Sequence, residues 1–455
     1  MRAAIKMRAA SAAWICLAGL FASNAANAAL PIQQWNQPSG ARVWLVESRS
    51  LPMVDVEIDF DGGSRRDPAD KAGLASATAS MTGKGLLARN GEPALDENQL
   101  SEAWADLGAA FGGGAGADRM SFTLRSLTDP ALLEKALHLA ARQLGEPGFP
   151  EAIWKRDRDR WAAAIREANT RPGTIAGRAF SQAVYGQHPY GYDVTEESLA
   201  RISMADARAF YAQVARPCRA KVSIVGDVDR AQADRIATQL LARLPAGECT
   251  PLPPVAEVQP LVAPAQHDIP FKSAQAHVLI GQPGYKRSDP DYFPLLVGNY
   301  ILGGGGFVSR LTAEVREKRG LTYGVYSSFS PGLHAGAFSI GLQTRPDQAQ
   351  QALQVTRDVL ARFVAEGPTD AELKAAKDNL VGGFALRLDS NRKLLDNVAN
   401  IAWNDLPLDY LDTWTQQVQA VSAAQIKAAF QRKLQPQRMV TVVVGGVAAA
   451  PQSAK

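Results

Sequence analysis

Histidine and cysteine are scarce, with five and three among 455 residues. His138, His188, His267, His277 and His334 are scattered, and no two stand three or four apart, the spacing that sets two imidazoles on one helical face for a metal. No G-x-S-x-G elbow is present, so Ser76 and Ser80 lack the turn that would make a serine nucleophile, and no histidine is placed beside them. Beyond residue 28 no segment approaches the roughly eighteen apolar residues of a membrane span. Charge of one sign is also short. The formal +4 falls to +1 once Arg2, Lys6 and Arg8 are removed with a leader, which leaves no basic surface calling for nucleic acid or an anionic membrane. With 46% hydrophobic and 21% charged residues the 455-residue chain has the composition of ordinary soluble protein and is long enough for two or more domains.

That leader is the first thing present. Arg2, Lys6 and Arg8 precede an apolar run from Ala9 to Phe21, and Ala26-Asn27-Ala28 fits a small-residue cleavage site. Residues 1–28 read as a secretory signal peptide. Cys16 lacks the small residues that a lipoprotein site prefers before it, so no lipid anchor is expected, and the mature chain belongs in the periplasm. Two cysteines survive. Cys218 precedes an apolar strand, Ala220 to Val225, and Cys249 follows a helix from Ala231 to Leu244. A helix antiparallel to the preceding strand returns its end to the strand's beginning, so a Cys218–Cys249 disulfide is expected in an oxidising compartment.

The chain then repeats itself. Gly226-Asp227-Val228 and Gly445-Gly446-Val447 each close an apolar strand at an offset of 219, as do the helix-opening Ser203 and Ser422. Asp67 and Asp289 differ by 222, while Phe122 and Phe338, and Pro130 and Pro346, differ by 216. Five landmarks at nearly one offset imply two copies of one fold. Each copy reads strand, strand, helix, strand, several helices, strand. This predicts an α+β protein of two homologous α/β-sandwich domains, each a mixed, mainly antiparallel sheet with helices on one face. The first copy spans 29–248, a proline-rich linker 249–268, and the second copy 269–449.

The second copy carries the densest motif, LGGGGFVSRLTAEVREKRGLTYGVYSSF over 302–329. Gly303, Gly304, Gly305 and Gly306 predict a loop able to approach another backbone closely. A helix from about Ser309 carries Arg316 and ends at Gly320, and a strand follows from Leu321 to Phe329. Arg316 and Tyr323 flank that corner, where both could donate to a carbonyl oxygen or oxyanion.

The signal peptide, the duplicated halves, the glycine loop, SRL, REKRGLTY and the GDV strand end resemble the pitrilysin and mitochondrial processing peptidase family of zinc peptidases over the whole mature chain. The resemblance implies that Arg316 and Tyr323, seven residues apart, hold substrate and stabilise a transition state. It also implies an H-x-x-E-H on the first long helix. Here that helix, Ala72 to Thr82, puts Ser76, Ala79 and Ser80 where histidine, glutamate and histidine would stand. No carboxylate occupies the third-ligand region, Ala162 to Ile165, and Glu167 just beyond reads as solvated surface. Serine is a poor zinc ligand, so no metal is expected in this chain. The glycines of FGGGAGAD (Gly112, Gly113, Gly114, with Ala115) match the place where the family offers an edge strand to substrate peptide.

The resulting expectation is a non-catalytic subunit of a heterodimeric periplasmic zinc metallopeptidase, inactive alone. It has no cofactor of its own, and zinc resides in a homologous partner subunit whose peptide substrate this chain helps to enclose. Three alternatives are a structural subunit like the core proteins of a respiratory complex, a stand-alone peptide carrier, and a peptidase using other ligands.

Overall fold

The computed structural model describes residues 31–247 and 249–445; the predicted leader, Glu248, and Gly446 and Val447 of the repeat lie outside them. Strands of the first half are β1 (Gln33–Asn36), β2 (Arg42–Glu47), β3 (Met53–Phe60), a short pair β4 (Gly85–Leu86) and β5 (Leu95–Asp96), β6 (Ala110–Ala115), β7 (Met120–Leu127) and β8 (Lys221–Gly226). Those of the second half are β9 (Ala265–Ile269), β10 (Ala276–Pro283), β11 (Val325–Phe329), β12 (Ala337–Thr344) and β13 (Val440–Val444).

The main sheets have orders β1-β2-β8-β3-β7-β6 and β11-β12-β10-β13-β9. Each contains one parallel pair, β2 with β8 and β13 with β9, and is otherwise antiparallel. Taken from the parallel pair outward the two orders correspond strand for strand, with β1 as an addition to the first half. The expected linker runs into this sheet, because Ala265–Ile269 pairs with β13 instead of spanning free space.

Strand β3 shows how the layers form. Its sequence alternates, with Val54, Val56, Ile58 and Phe60 packing against helices of its own half. The intervening Asp55, Glu57 and Asp59 are buried too, at 2%, 6% and 0% exposure. Their face is covered by the helix Asn391–Trp403 of the other half, which lies over β8, β3 and β2. It sets Leu394, Val398 and Ile401 against Trp44, Val46 and Val225. Reciprocally, the first-half helix Pro172–Tyr185 lays Ala176, Phe180 and Val184 on Val440, Val442 and Val444. Own helices thus cover one face, as the sequence implies, and a helix exchanged between halves covers part of the other.

Charged groups seal this exchange. Arg119 pairs with Asp59 (2.7 Å) and Glu57 (3.3 Å), and Arg125 with Asp55 (2.7 Å). Lys221 Nζ donates to the carbonyls of Ala402 (2.7 Å) and Trp403 (3.0 Å), satisfying the end of the visiting helix where the dipole favours a cation. Cys218 and Cys249 are disulfide-bonded, with Cα atoms 6.3 Å apart.

Candidate functional site

The glycine run is helical, not a loop. The helix Tyr292–Asn299 widens into a π turn over Tyr300–Gly304, where Gly305 N–H donates to the Tyr300 carbonyl at 2.8 Å. Such turns are frequent at functional sites. The close approach expected of the glycines is made by Gly303, since a Cβ there would fall 2.5 Å from both the amide nitrogen and Oγ of Ser327 on β11. Gly304 and Gly305 are held against Asn299 and Tyr300, and Gly306 takes the left-handed backbone (φ 62°) that ends the turn. The turn leaves Phe307 and Val308 69% and 74% exposed.

The SRL that follows anchors the corner. Ser309 Oγ donates to the Gly306 carbonyl at 2.8 Å, and Arg310 binds both oxygens of Glu372 (2.5 and 2.7 Å). Burial alone would raise the Glu372 carboxyl; the bonds from Arg310 and Thr369 outweigh it and hold the group at about 2.

Arg316 sits in a second π turn, Thr312–Glu317, with its guanidinium over the Phe307 ring, 4.7 Å from the centroid. Its neighbours Lys318 and Arg319 both bind Glu314, at 2.6 and 2.8 Å. Among the described residues Arg316 itself has no carboxylate partner. After Gly320 (φ 61°) residues 321–324 form no regular element and bend at Tyr323, so the strand begins only at Val325, four residues later than the sequence suggests. The reason is Thr322. Its buried hydroxyl lies within hydrogen-bond distance of the carbonyls of Gly324 (2.7 Å) and Gln343 (2.6 Å), its one proton serving either, and this holds the segment inward at 322. Tyr323 is 86% exposed. An unpaired guanidinium and an exposed phenol on one corner are free donors for an anionic or carbonyl oxygen.

The helix Leu74–Met81 starts after Gly73, whose φ of 102° only glycine tolerates readily. Asp67 Oδ1 and Oδ2 accept the N–H groups of Ala75 and Gly73, each at 2.8 Å. Ser76 is half-buried and Ser80 exposed, one turn apart, while Ala79 is 1% exposed in the core. The helix Glu151–Ala168 presents Ala162, Ala163 and Ala164, and Glu167 is exposed and paired with Arg171. Two hydroxyls, a methyl group and an alanine run do not fit a zinc ion. Among the described residues no three His, Cys, Asp or Glu side chains are gathered to hold a metal.

Beside the helix Leu74–Met81 lies β6, an outer strand of its sheet. Gly112 and Gly114 face open space, Ala115 packs on the core, and Gly113 stands against the Phe122 ring, which a Cβ would meet at 2.4 Å. Phe111 stacks between Trp104 and Phe122, at 5.7 and 6.1 Å. A backbone edge with almost no side chains is therefore held by aromatic rings on its core side. Sequence reasoning did not find Thr322, Phe307 or the exposed Tyr326. The only signal for the last is the spacing of two tyrosines around Gly324.

The result is a duplicated α+β chain in which each half lays one helix on the other's sheet, and the helix Leu74–Met81 presents no zinc donor. The Peptidase M16 inactive domain family matches residues 201–380. The chain is similar to a peptidase M16 inactive domain from Pseudomonas fluorescens, at 36% identity and a TM-score of 0.86, covering 92% of this chain and 99% of that one. It is also similar to an uncharacterized zinc protease of Streptomyces coelicolor (29% identical, 82% of this chain, 81% of the relative). A non-peptidase homolog, YmxG, of Helicobacter pylori is 26% identical over 90% of this chain and 92% of its own length. The chain belongs to the pitrilysin-like M16 peptidase family, and its residues 201–380 match that family's inactive domain.

Proposed function

We propose that this chain is the metal-free subunit of a heterodimeric periplasmic zinc peptidase. It pairs with a homologous zinc-bearing subunit, helps enclose an extended peptide, and offers Arg316 and Tyr323 to a substrate carbonyl beside the partner's zinc. The observation that carries this reading is the contrast between the two halves. Ser76, Ala79 and Ser80 retain no ligand, whereas Arg316 is left without a carboxylate and Tyr323 stands 86% exposed. The side-chain-poor edge of β6 supports peptide binding by strand addition, and Gly303 to Gly306, which raise Phe307 and Val308, supply a second contact surface.

The test is to purify the chain alone and with a relative that carries H-x-x-E-H, then measure complex formation, zinc content and peptide cleavage together. The expected result is one zinc per pair, held by the relative, and cleavage by the pair only. Zinc binding and cleavage by the isolated chain would overturn the reading.

A further inference from the structure

The face of the second sheet opposite its own helices is only partly covered. The helix Pro172–Tyr185 lies over β10 and β13, and between its first turns and Tyr323 is a cavity of about 440 Å³, within the range of small-ligand pockets. Cross-strand register sets Tyr326 opposite Gly341 and Gly341 opposite Leu279, so a ring, a gap and an aliphatic chain form one row of its floor. Two glycines shape it: a Cβ at Gly341 would lie 3.1 Å from the Tyr326 ring, and one at Gly173 would lie 3.3 Å from the His277 ring.

The lining contains no Asp, Glu, Lys or Arg. Burial lowers the His277 pKa, leaving a neutral ring near pH 7. Among the described residues the Tyr323 and Tyr326 hydroxyls and the His277 ring have no hydrogen-bond partner. Strand β11, which carries Tyr326, is one of the two edge strands of its sheet. The middle of that edge is taken, since Asn299 Nδ2 donates to the Ser327 carbonyl (3.2 Å) and Gly303 abuts its amide, so a peptide beside Tyr323 would reach the cavity through a side chain.

We propose that this cavity is a specificity pocket that takes one bulky apolar side chain, aromatic or aliphatic, of a peptide held beside Tyr323. The proposal rests on the peptide-presenting role given above and names the residue class it selects. A charged side chain would lose its water and gain no counterion, whereas an aromatic one buries area against three rings.

Fluorescein-labelled peptides identical except for a central Phe, Leu, Ser or Asp, titrated against the full mature chain by anisotropy, test it. Phe and Leu peptides should bind at least about tenfold tighter than the Asp peptide. Gly173→Leu, which fills the cavity from the helix, should abolish the preference and leave the Asp peptide unchanged. Gly177→Leu, on the same helix in open space, should preserve it. Should Gly173→Leu unfold, Tyr326→Ala must lose the preference instead. Equal affinities, no binding of any peptide, or a preference that survives a folded cavity variant would overturn the pocket. Loss of the pocket with Arg316→Ala still lowering turnover of the pair would leave the subunit role standing; selective binding with Arg316→Ala silent would overturn that role alone.

Discussion

Glu57 and Glu372 show how differently two carboxylates of this chain respond to pH. Glu57 is pushed up to about 7, chiefly by burial and then by Asp59, with Arg119 pulling the other way. Its proton is held more tightly in the folded chain than in the unfolded one. Its contribution to stability is therefore present below the ordinary 4.5 and is lost as pH rises through about 7, at up to about 1.4 kcal/mol per pH unit. Unfolding by urea at pH 5 and pH 7.5 should show Glu57→Gln losing less stability over that interval than the unsubstituted chain. An unchanged difference would contradict the burial argument. Glu372 is the opposite case: its depressed group stabilises above 4.5, and that contribution is lost as pH falls toward about 2. Glu372→Gln removes the two-oxygen bond to Arg310 and should cost about 1–2 kcal/mol at neutral pH, read by thermal unfolding.

At the scale of elements, the close contact between the glycine turn and β11 is the most sensitive. Gly303→Ala puts a methyl group 2.5 Å from the Ser327 amide nitrogen, so it should destabilise by about 1–3 kcal/mol or displace the turn. A circular dichroism melt unchanged from that of the unsubstituted chain would refute the contact. This region also marks the limit of what was legible in the sequence. Regular elements such as β3, β7 and β8 were readable from their alternating or continuous apolar runs. The π turns were not, because glycines that allow a loop allow a widened helix equally, and only the seat on Ser327 decides between them. Strand β6 was legible as a place but not as a strand. FGGGA has little intrinsic β preference, and its conformation comes from pairing with β7 and from the stacked Phe111 and Phe122. The exposure of Tyr323 was not legible, because it follows from Thr322, whose partner carbonyl on Gln343 is distant in sequence.

For the whole molecule, duplication was readable because its landmarks recur at nearly one offset. The exchanged helices were not. Periodicity reveals that Ala176, Phe180 and Val184 share a face, and it does not say which sheet that face meets. The exchange predicts that neither half is stable alone. Expressed separately, the halves should aggregate or remain unfolded, and co-expression should restore a soluble complex; an independently folded half would contradict the description. Phe180→Ala should cost about 3 kcal/mol or more by emptying the seat over Gly281, where a Cβ would meet the Phe180 ring at 2.7 Å. The Cys218–Cys249 bridge spans 31 residues and should contribute about 3–4 kcal/mol, seen as a lower melting temperature after reduction.

On the proposed role, a chain with Ser76, Ala79 and Ser80 in place of zinc ligands completes an active site held by another. That role is tested most directly by measuring peptide turnover of the assembled pair with Arg316→Ala or Tyr323→Phe in this chain alone. Turnover should fall by about tenfold or more, at unchanged zinc content and unchanged assembly. Full turnover with both substitutions in place would contradict the role.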